Sequence, residues 1–221
     1  MIHFSKNRLV RSSEQAKRGF TLTEIAIVLG VIGLILGSIW VAAAAVYNNM
    51  RVSTATRGLL AITQAVRSLY ATSSTVSTNA DMTTIPFTTV AAGAQTTYPQ
   101  SGVFDADMVI AAGGNYSVQG PWTNGSVNIV AAKSLATADS FAIEFDNVPQ
   151  AACIQMLISV TGTARDPGLY AVQAGAAGAL VIAAGGNATG TQTAFPLDAA
   201  TARGQCANAL NNVAFQFKLK G

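Results

Sequence analysis

The sequence predicts an α+β roll: a long N-terminal α-helix laid across an antiparallel β-sheet, the helix apolar in its first half and amphipathic in its second. Three observations predict it. No charged residue stands between Ile25 and Met50. Apolar residues then recur at steps of three and four from Val52 to Leu69. Short strand-like runs with one clear helical pattern among them fill the remainder.

The first element is the uncharged run. Ile25–Val46 reads IAIVLGVIGLILGSIWVAAAAV, 22 apolar or small residues, enough to cross a bilayer core as a helix. Lys17 and Arg18 stand just before it, and no basic residue follows until Arg51. The positive-inside rule therefore keeps the N-terminus cytoplasmic and sends the C-terminal bulk across the membrane. A secretory hydrophobic region is shorter, about 7–15 residues, with a small-residue cleavage site behind it. By hydropathy alone the segment reads as an uncleaved signal anchor.

Charge supports that division. The 221 residues carry a formal net charge of +3, yet only 10% are charged and half are apolar. A disordered polyelectrolyte needs the opposite balance, and a nucleic-acid binder needs a basic stripe that +3 over this length does not supply. Residues 1–19 hold Lys6, Arg8, Arg11, Lys17 and Arg18 against Glu14, a balance of +4, whereas residues 20–221 sum to −1. The basic character belongs to a segment that looks like a targeting sequence. His3 is the single histidine, which argues against histidine triads and multi-histidine metal sites.

The helix is expected to continue beyond the membrane. Val52, Ala55, Leu59, Ile62, Val66 and Leu69 form one stripe, with Arg51, Thr54, Arg57, Thr63, Gln64 and Arg67 on a wet opposite face. The Ser/Thr-rich stretch Thr72–Thr78 should end it. A helix over residues 21–72 is about 78 Å long at 1.5 Å per residue. The stripe covers under three heptads, so docking onto the chain's own globular part is favoured over a coiled coil.

Strands are expected at Met108–Ala111, Val127–Ala131, Phe141–Phe145, Leu169–Gln173, Leu180–Ala183 and Val213–Leu219. In the last, Val213, Phe215, Phe217 and Leu219 face one way and Gln216 and Lys218 the other. Pro149 suits the first turn of a helix in which Cys153, Met156, Leu157 and Val160 share a face. A second short helix is expected over Ala199–Leu210.

The junction ahead of the apolar run is more specific than hydropathy. It reads Lys17-Arg18-Gly19-Phe20-Thr21-Leu22-Thr23-Glu24, and it resembles the class III leader of type IV pilins and pseudopilins. The close match covers roughly residues 17–50. The resemblance implies a pilin roll, cleavage between Gly19 and Phe20 by a prepilin peptidase on the cytoplasmic side, and N-methylation of Phe20. It also implies that Glu24, fifth in the mature chain, pairs with the N-terminal amine of a neighbouring subunit and sets the stagger of a polymer.

Residue chemistry offers a second role for Glu24. Thr21-Leu-Thr-Glu24 is a capping box, which satisfies orphan amides at a helix start, and a carboxylate suits the positive end of the helix dipole. Capping does not account for Gly19-Phe20 behind a basic pair, and both roles can hold. A carboxylate buried in a bilayer costs about 2–3 kcal/mol, which a partner amine would offset. Gly30, Gly33 and Gly37 fall at i, i+3 and i+7, a spacing of small residues that lets helices approach closely. In the resembled family this segment packs against other subunits. Many relatives carry a proline there and this sequence has none.

Cys153 and Cys206 lie in the part expected across the membrane, where an oxidising compartment favours a disulfide, with two free thiols as the alternative. Such a bridge contributes on the order of 4 kcal/mol for a loop of about 50 residues in the chain-entropy model. A disulfide-bounded C-terminal region also resembles type IV pilins. A strand running into the helix that holds the first cysteine, Phe141–Val160, resembles the type IVb group that includes toxin-coregulated pilins.

Other motifs are weak. Gly113-Gly114, Gly175-x-x-Gly178 and Gly185-Gly186 follow no phosphate-binding pattern and read as turns. Asp105 and Asp107 are too few for a calcium site. Asn115, Asn124 and Asn187 open N-x-S/T triplets that a Ser/Thr-rich chain produces by chance. No nucleophile has an evident base, so no enzyme, cofactor or metal is expected.

The sequence therefore divides into a leader (1–19), a membrane and polymerisation helix (20–50), its amphipathic continuation (51–73) and a globular head (74–221). The expected function is that of a structural subunit of a type IV pilus serving adhesion, aggregation, motility or conjugation. The alternatives are a pseudopilin of a secretion or DNA-uptake system and a bitopic inner-membrane protein with a periplasmic binding domain. Implied partners are further copies of the chain, the prepilin peptidase, the inner-membrane assembly machinery and, before assembly, the lipid bilayer. The implied locations are the inner membrane with the head periplasmic, then the extracellular filament.

Overall fold

The computed structural model describes residues 20–76, 90–91, 102–112, 115–178, 181–182 and 192–220. The chain divides into two compact units, Met1–Ala45 and Val46–Gly221. Helix α1 spans Leu22–Leu69; its residues up to Ala45 belong to the first unit and the rest to the second, the head.

In the head a three-stranded antiparallel sheet has the order β1-β3-β2, with β1 Val90–Ala91, β2 Val109–Ala112 and β3 Asn115–Val118. A four-stranded antiparallel sheet contains β4 Val127–Ala132, β5 Ser140–Pro149, β6 Leu169–Ala176 and β7 Leu210–Lys218, in the order β4-β5-β7-β6. Helix α2, Gln150–Thr161, follows β5 without a linker, and α3, Ala199–Gln205, precedes β7.

Register sorts the larger sheet into two faces, because side chains alternate along each strand. One face carries the rows Val127–Phe145–Val213–Ala174, Ile129–Ile143–Phe215–Val172 and Ala131–Phe141–Phe217–Leu169. These residues share one core with Val52, Ala55, Leu59, Ile62 and Val66 of α1 and with Cys153, Met156, Leu157 and Val160 of α2. The amphipathic half of α1 thus packs on an antiparallel sheet, as expected. Phe141 and Phe217 stack at 6.0 Å, and Trp122 meets Phe145 edge-on at 6.4 Å.

The second face is also covered. Val130, Ala132, Ala142 and Ala214 are buried beneath Ile182, with Val181 packed beside them. Gln216 lies on this face, opposite Phe215 and Phe217, as the alternation along β7 puts it; it is fully buried, and its amide donates to the Lys133 carbonyl at 2.9 Å and to Ser140 Oγ at 2.8 Å. One expectation is corrected: residues 181–182 form no strand, while Leu180 and Ala183 lie outside the described residues. The apolar side chain of Ile182 closes over the sheet, and the Val181 and Ile182 N–H groups bond to the Glu144 carboxylate beneath rather than to a neighbouring strand.

Three element ends differ from expectation. Helix α1 stops at Leu69, whose side chain is exposed, before the Ser/Thr-rich stretch. Helix α3 stops at Gln205 and Leu210 already opens β7. There Asn211 accepts from Asn208 N–H at 3.2 Å and donates to the Asn208 carbonyl at 2.8 Å, a side-chain turn that competes with helix. Pro149 is the N-cap of α2 rather than its first-turn residue.

Candidate functional site: the N-terminal helix and the clamps of the head

In the first unit, α1 presents an apolar surface whose described side chains are exposed. It is the one described helix long and apolar enough to cross a membrane, and none of its most apolar 18-residue window is buried. The Ser38 hydroxyl inside this run donates to the Ile35 carbonyl at 2.8 Å, so its donor is satisfied within the helix, as hydrocarbon surroundings would require. A Cβ built at Gly30, Gly33 or Gly37 meets nothing within 4 Å. At about 100° per residue the three glycines fall within an arc of roughly 60°, a smooth strip along one side of the helix.

Glu24 closes the capping box at the helix start. Its Oε2 accepts from the backbone N–H and from the hydroxyl of Thr21, both at 2.9 Å, and Thr21 Oγ1 accepts from the Glu24 N–H at 3.3 Å. Both bonds received by the carboxylate fall on Oε2. Phe20 precedes the helix and is exposed; Gly19 lies outside the described residues. Further along, Arg51 lies over the Tyr47 ring at 4.4 Å and donates to its hydroxyl at 2.9 Å.

In the head, Cys153 of α2 and Cys206 after α3 form a disulfide with Cα atoms 6.0 Å apart, within the ordinary range for such bridges. Gln150 supports the same junction by donating to the Cys206 carbonyl at 2.9 Å and through its N–H to the Ala209 carbonyl at 3.2 Å.

Two head residues expected on the wet face of α1 do other work. Thr63 is fully buried, its hydroxyl donating to the Leu59 carbonyl at 2.8 Å. Arg67 is a clamp: it donates to both carboxylate oxygens of Asp166 at 2.9 Å and, more weakly, to the Lys218 carbonyl at 3.3 Å. The guanidinium fork holds the Asp166 carboxyl below its ordinary range. A Cβ at Gly168 would collide with that guanidinium, so glycine leaves the space the clamp occupies.

Glu144 is the other residue that sequence reasoning missed. It sits on central strand β5 with no exposure, on the face away from the main core. Its carboxylate accepts from Ile182 N–H at 2.8 Å, Asn212 Nδ2 at 2.9 Å and Val181 N–H at 3.3 Å. Burial pushes its pKa up to about 7 against those three donors, and the nearby Asp146 adds repulsion. Asp146 itself accepts from Gly178 N–H at 2.9 Å. Strict alternation along β5 was the available signal, because it puts Glu144 on the face opposite Phe141, Ile143 and Phe145.

Asp105 and Asp107 are exposed, and among the described residues no three metal-ligating side chains cluster. Asn124 is exposed with φ 57°, and Gly178 adopts φ 83° in the turn after β6. Asn187, Gly113-Gly114 and Gly185-Gly186 lie outside the described residues.

The fold and these geometries define a class: an α+β head whose sheet is packed on the second half of a helix, the first half of that helix being apolar and exposed. No protein-family model and no curated protein matches the chain. Among solved structures it is similar to a type IVb pilin from Salmonella typhi, with a TM-score of 0.49 and 14% identity over 75% of this chain and 99% of that one. With likeness that distant, the functional reading is carried by this chain's own residues.

Proposed function

We propose that this chain is a structural subunit of a type IV pilus, cleaved between Gly19 and Phe20, methylated at Phe20 and polymerised through the first half of α1. One observation carries the reading: an exposed apolar helix begins at the Lys17–Glu24 junction and holds one carboxylate, Glu24, at its start. Cleavage would turn the Phe20 nitrogen into an amine. In a filament, Glu24 Oε1 would take the amine of the next copy while Oε2 keeps its capping bonds to Thr21. The glycine strip would let neighbouring helices approach, and helix–helix contacts would replace lipid contacts.

Mass spectrometry of the protein extracted from membranes tests this directly. The expected species starts at Phe20 and carries one added methyl group. An intact Met1–Gly19 segment would sink the pilus reading and leave a bitopic membrane protein. Electron microscopy with subunit identification then separates a pilus subunit, which forms surface filaments, from a pseudopilin.

A further inference from the structure

Near the C-terminal end of α1 the head carries a cleft of about 560 Å³, whose lining includes Thr163, Arg165, Tyr170, Thr193, Phe195 and Lys218. Its two cations are set on aromatic rings. The Arg165 guanidinium lies 5.6 Å from the Phe195 ring centroid, and the Lys218 ammonium lies 5.5 Å from that of Tyr170. Tyr170 is itself fixed, its hydroxyl donating to the Ser134 carbonyl at 3.2 Å.

Among the described residues neither cation has a carboxylate partner. The one described ion pair is Arg67–Asp166. Asp166, next in sequence to Arg165, is taken up by Arg67 and by the Gly168 N–H at 2.7 Å. The cleft therefore presents two positive charges held by ring faces and two hydroxyl side chains, with the acid adjacent in sequence, Asp166, committed to Arg67 and Gly168.

We propose that this cleft is a binding site for a small carboxylated sugar, the carboxylate received by Arg165 and Lys218 and the sugar hydroxyls by Thr163 and Thr193. Guanidinium and ammonium groups form charge-assisted hydrogen bonds with carboxylates, and the fork of arginine fits both oxygens. The volume suits a small organic ligand and exceeds what a bare ion fills. Hydroxyl side chains beside the cations match a ligand that is itself rich in hydroxyls.

The test uses the full chain in detergent at low salt, with glucuronate as probe and glucose and inorganic sulfate as comparisons, read by calorimetry and ligand-observed NMR. Glucuronate should bind saturably while glucose at the same concentration does not. Arg165→Gln and Lys218→Gln should each weaken glucuronate about tenfold or more, the cost of losing a charge-assisted bond. An intact Cys153–Cys206 linkage and an unchanged urea midpoint in both variants confirm that the head is folded. Equal binding of glucose would overturn the proposal, as would sulfate binding as tightly as glucuronate, which makes the cleft a bare-anion site. Self-association that Arg165→Gln abolishes, with no sugar bound, would also overturn it and assign the cleft to carboxylates of a second copy. No arm requires a filament, so the result is independent of the pilus reading.

Discussion

Replacing Glu144 with glutamine should flatten the pH dependence of the head's stability between about pH 5.5 and 8. The carboxyl's pKa rises from an ordinary 4.5 to about 7 in the fold, so the folded state prefers the protonated form. Stability from this group is therefore fully present below its unfolded pKa and is lost as pH rises through 7. The whole difference is about 3 kcal/mol at 1.36 kcal/mol per unit, of which about 2 kcal/mol falls between pH 5.5 and 8. Among the described groups facing Glu144 no cation offsets it: Asn128 stands opposite on β4, Asn212 donates from β7, and Asp146 is a second acid. The assay is urea unfolding of the full chain in detergent, followed by the fluorescence of buried Trp122 in a Trp40→Phe background. The original side chain should give a head about 2 kcal/mol more stable at pH 5.5 than at 8, and Glu144→Gln should remove most of that slope. The glutamine can keep one acceptor on Ile182 N–H. Its amide nitrogen would face Val181 N–H and Asn212, so the slope, not the absolute stability, is the decisive reading. A flat profile with Glu144 present, or an unchanged slope in the variant, would refute the reasoning.

The remaining predictions use the same head and helix. Arg67→Ala should cost about 1–2 kcal/mol, discounted because the pair is part-exposed, and should return the Asp166 carboxyl toward its ordinary range; urea midpoints and the Asp166 carboxyl chemical shift check both. Cys206→Ser should lower stability by about 2–4 kcal/mol through the lost cross-link, visible as an earlier urea midpoint that reductant no longer shifts. Glu24→Ala should leave cleavage at Gly19 intact and depress filament yield, measured by mass spectrometry and sheared-pilus recovery; normal filaments would remove the assembly role given to Glu24.

Much of the fold was legible because it rests on periodicity. The stripe Val52–Val66 announced its buried face by spacing, and Cys153, Met156, Leu157 and Val160 did the same for α2. The strands β4 to β7 showed as short runs bounded by turn residues. What stayed hidden depends on contacts between distant segments. Alternation placed Gln216 opposite Phe215, but it tells which residues share a face, not that a second layer covers it. Arg67 looked wet because its partner, Asp166, is 99 residues away. The α3–β7 boundary was misplaced because an Asn211 turn, not hydrophobicity, ends the helix. In the candidate site, by contrast, Phe20, Glu24 and the three glycines lie in one short stretch of chain, so their spacing needed no tertiary information.

The few charges of this chain are spent in an unusual way, and that has a testable consequence. Among the described residues six carboxylates accept backbone N–H groups: Glu24 from Thr21, Asp139 from Ser134, Leu135 and Ala136, Glu144 from Val181 and Ile182, Asp146 from Gly178, Asp166 from Gly168 and Asp198 from Thr201. Only one of the six, Asp166, also pairs with a cation. Acids here cap helices and hold turns, and among the described residues none of them pairs with Arg165 or Lys218. A carboxylate bonded to amides acts at contact range, so salt screens it far less than it screens separated charges. The head's stability near pH 7 should then change little as ionic strength rises. Acid should act differently, because hydrogen bonds hold Asp139, Asp166 and Asp198 below their ordinary range. Their contribution is present above the ordinary carboxylate value and lost as pH falls through their lowered ones, so stability gained from Glu144 on acidification should reverse below about pH 4. Urea midpoints across salt and pH separate the two cases: a strong salt dependence near neutrality would mean that ion pairs, not capped backbone, carry the head's electrostatics.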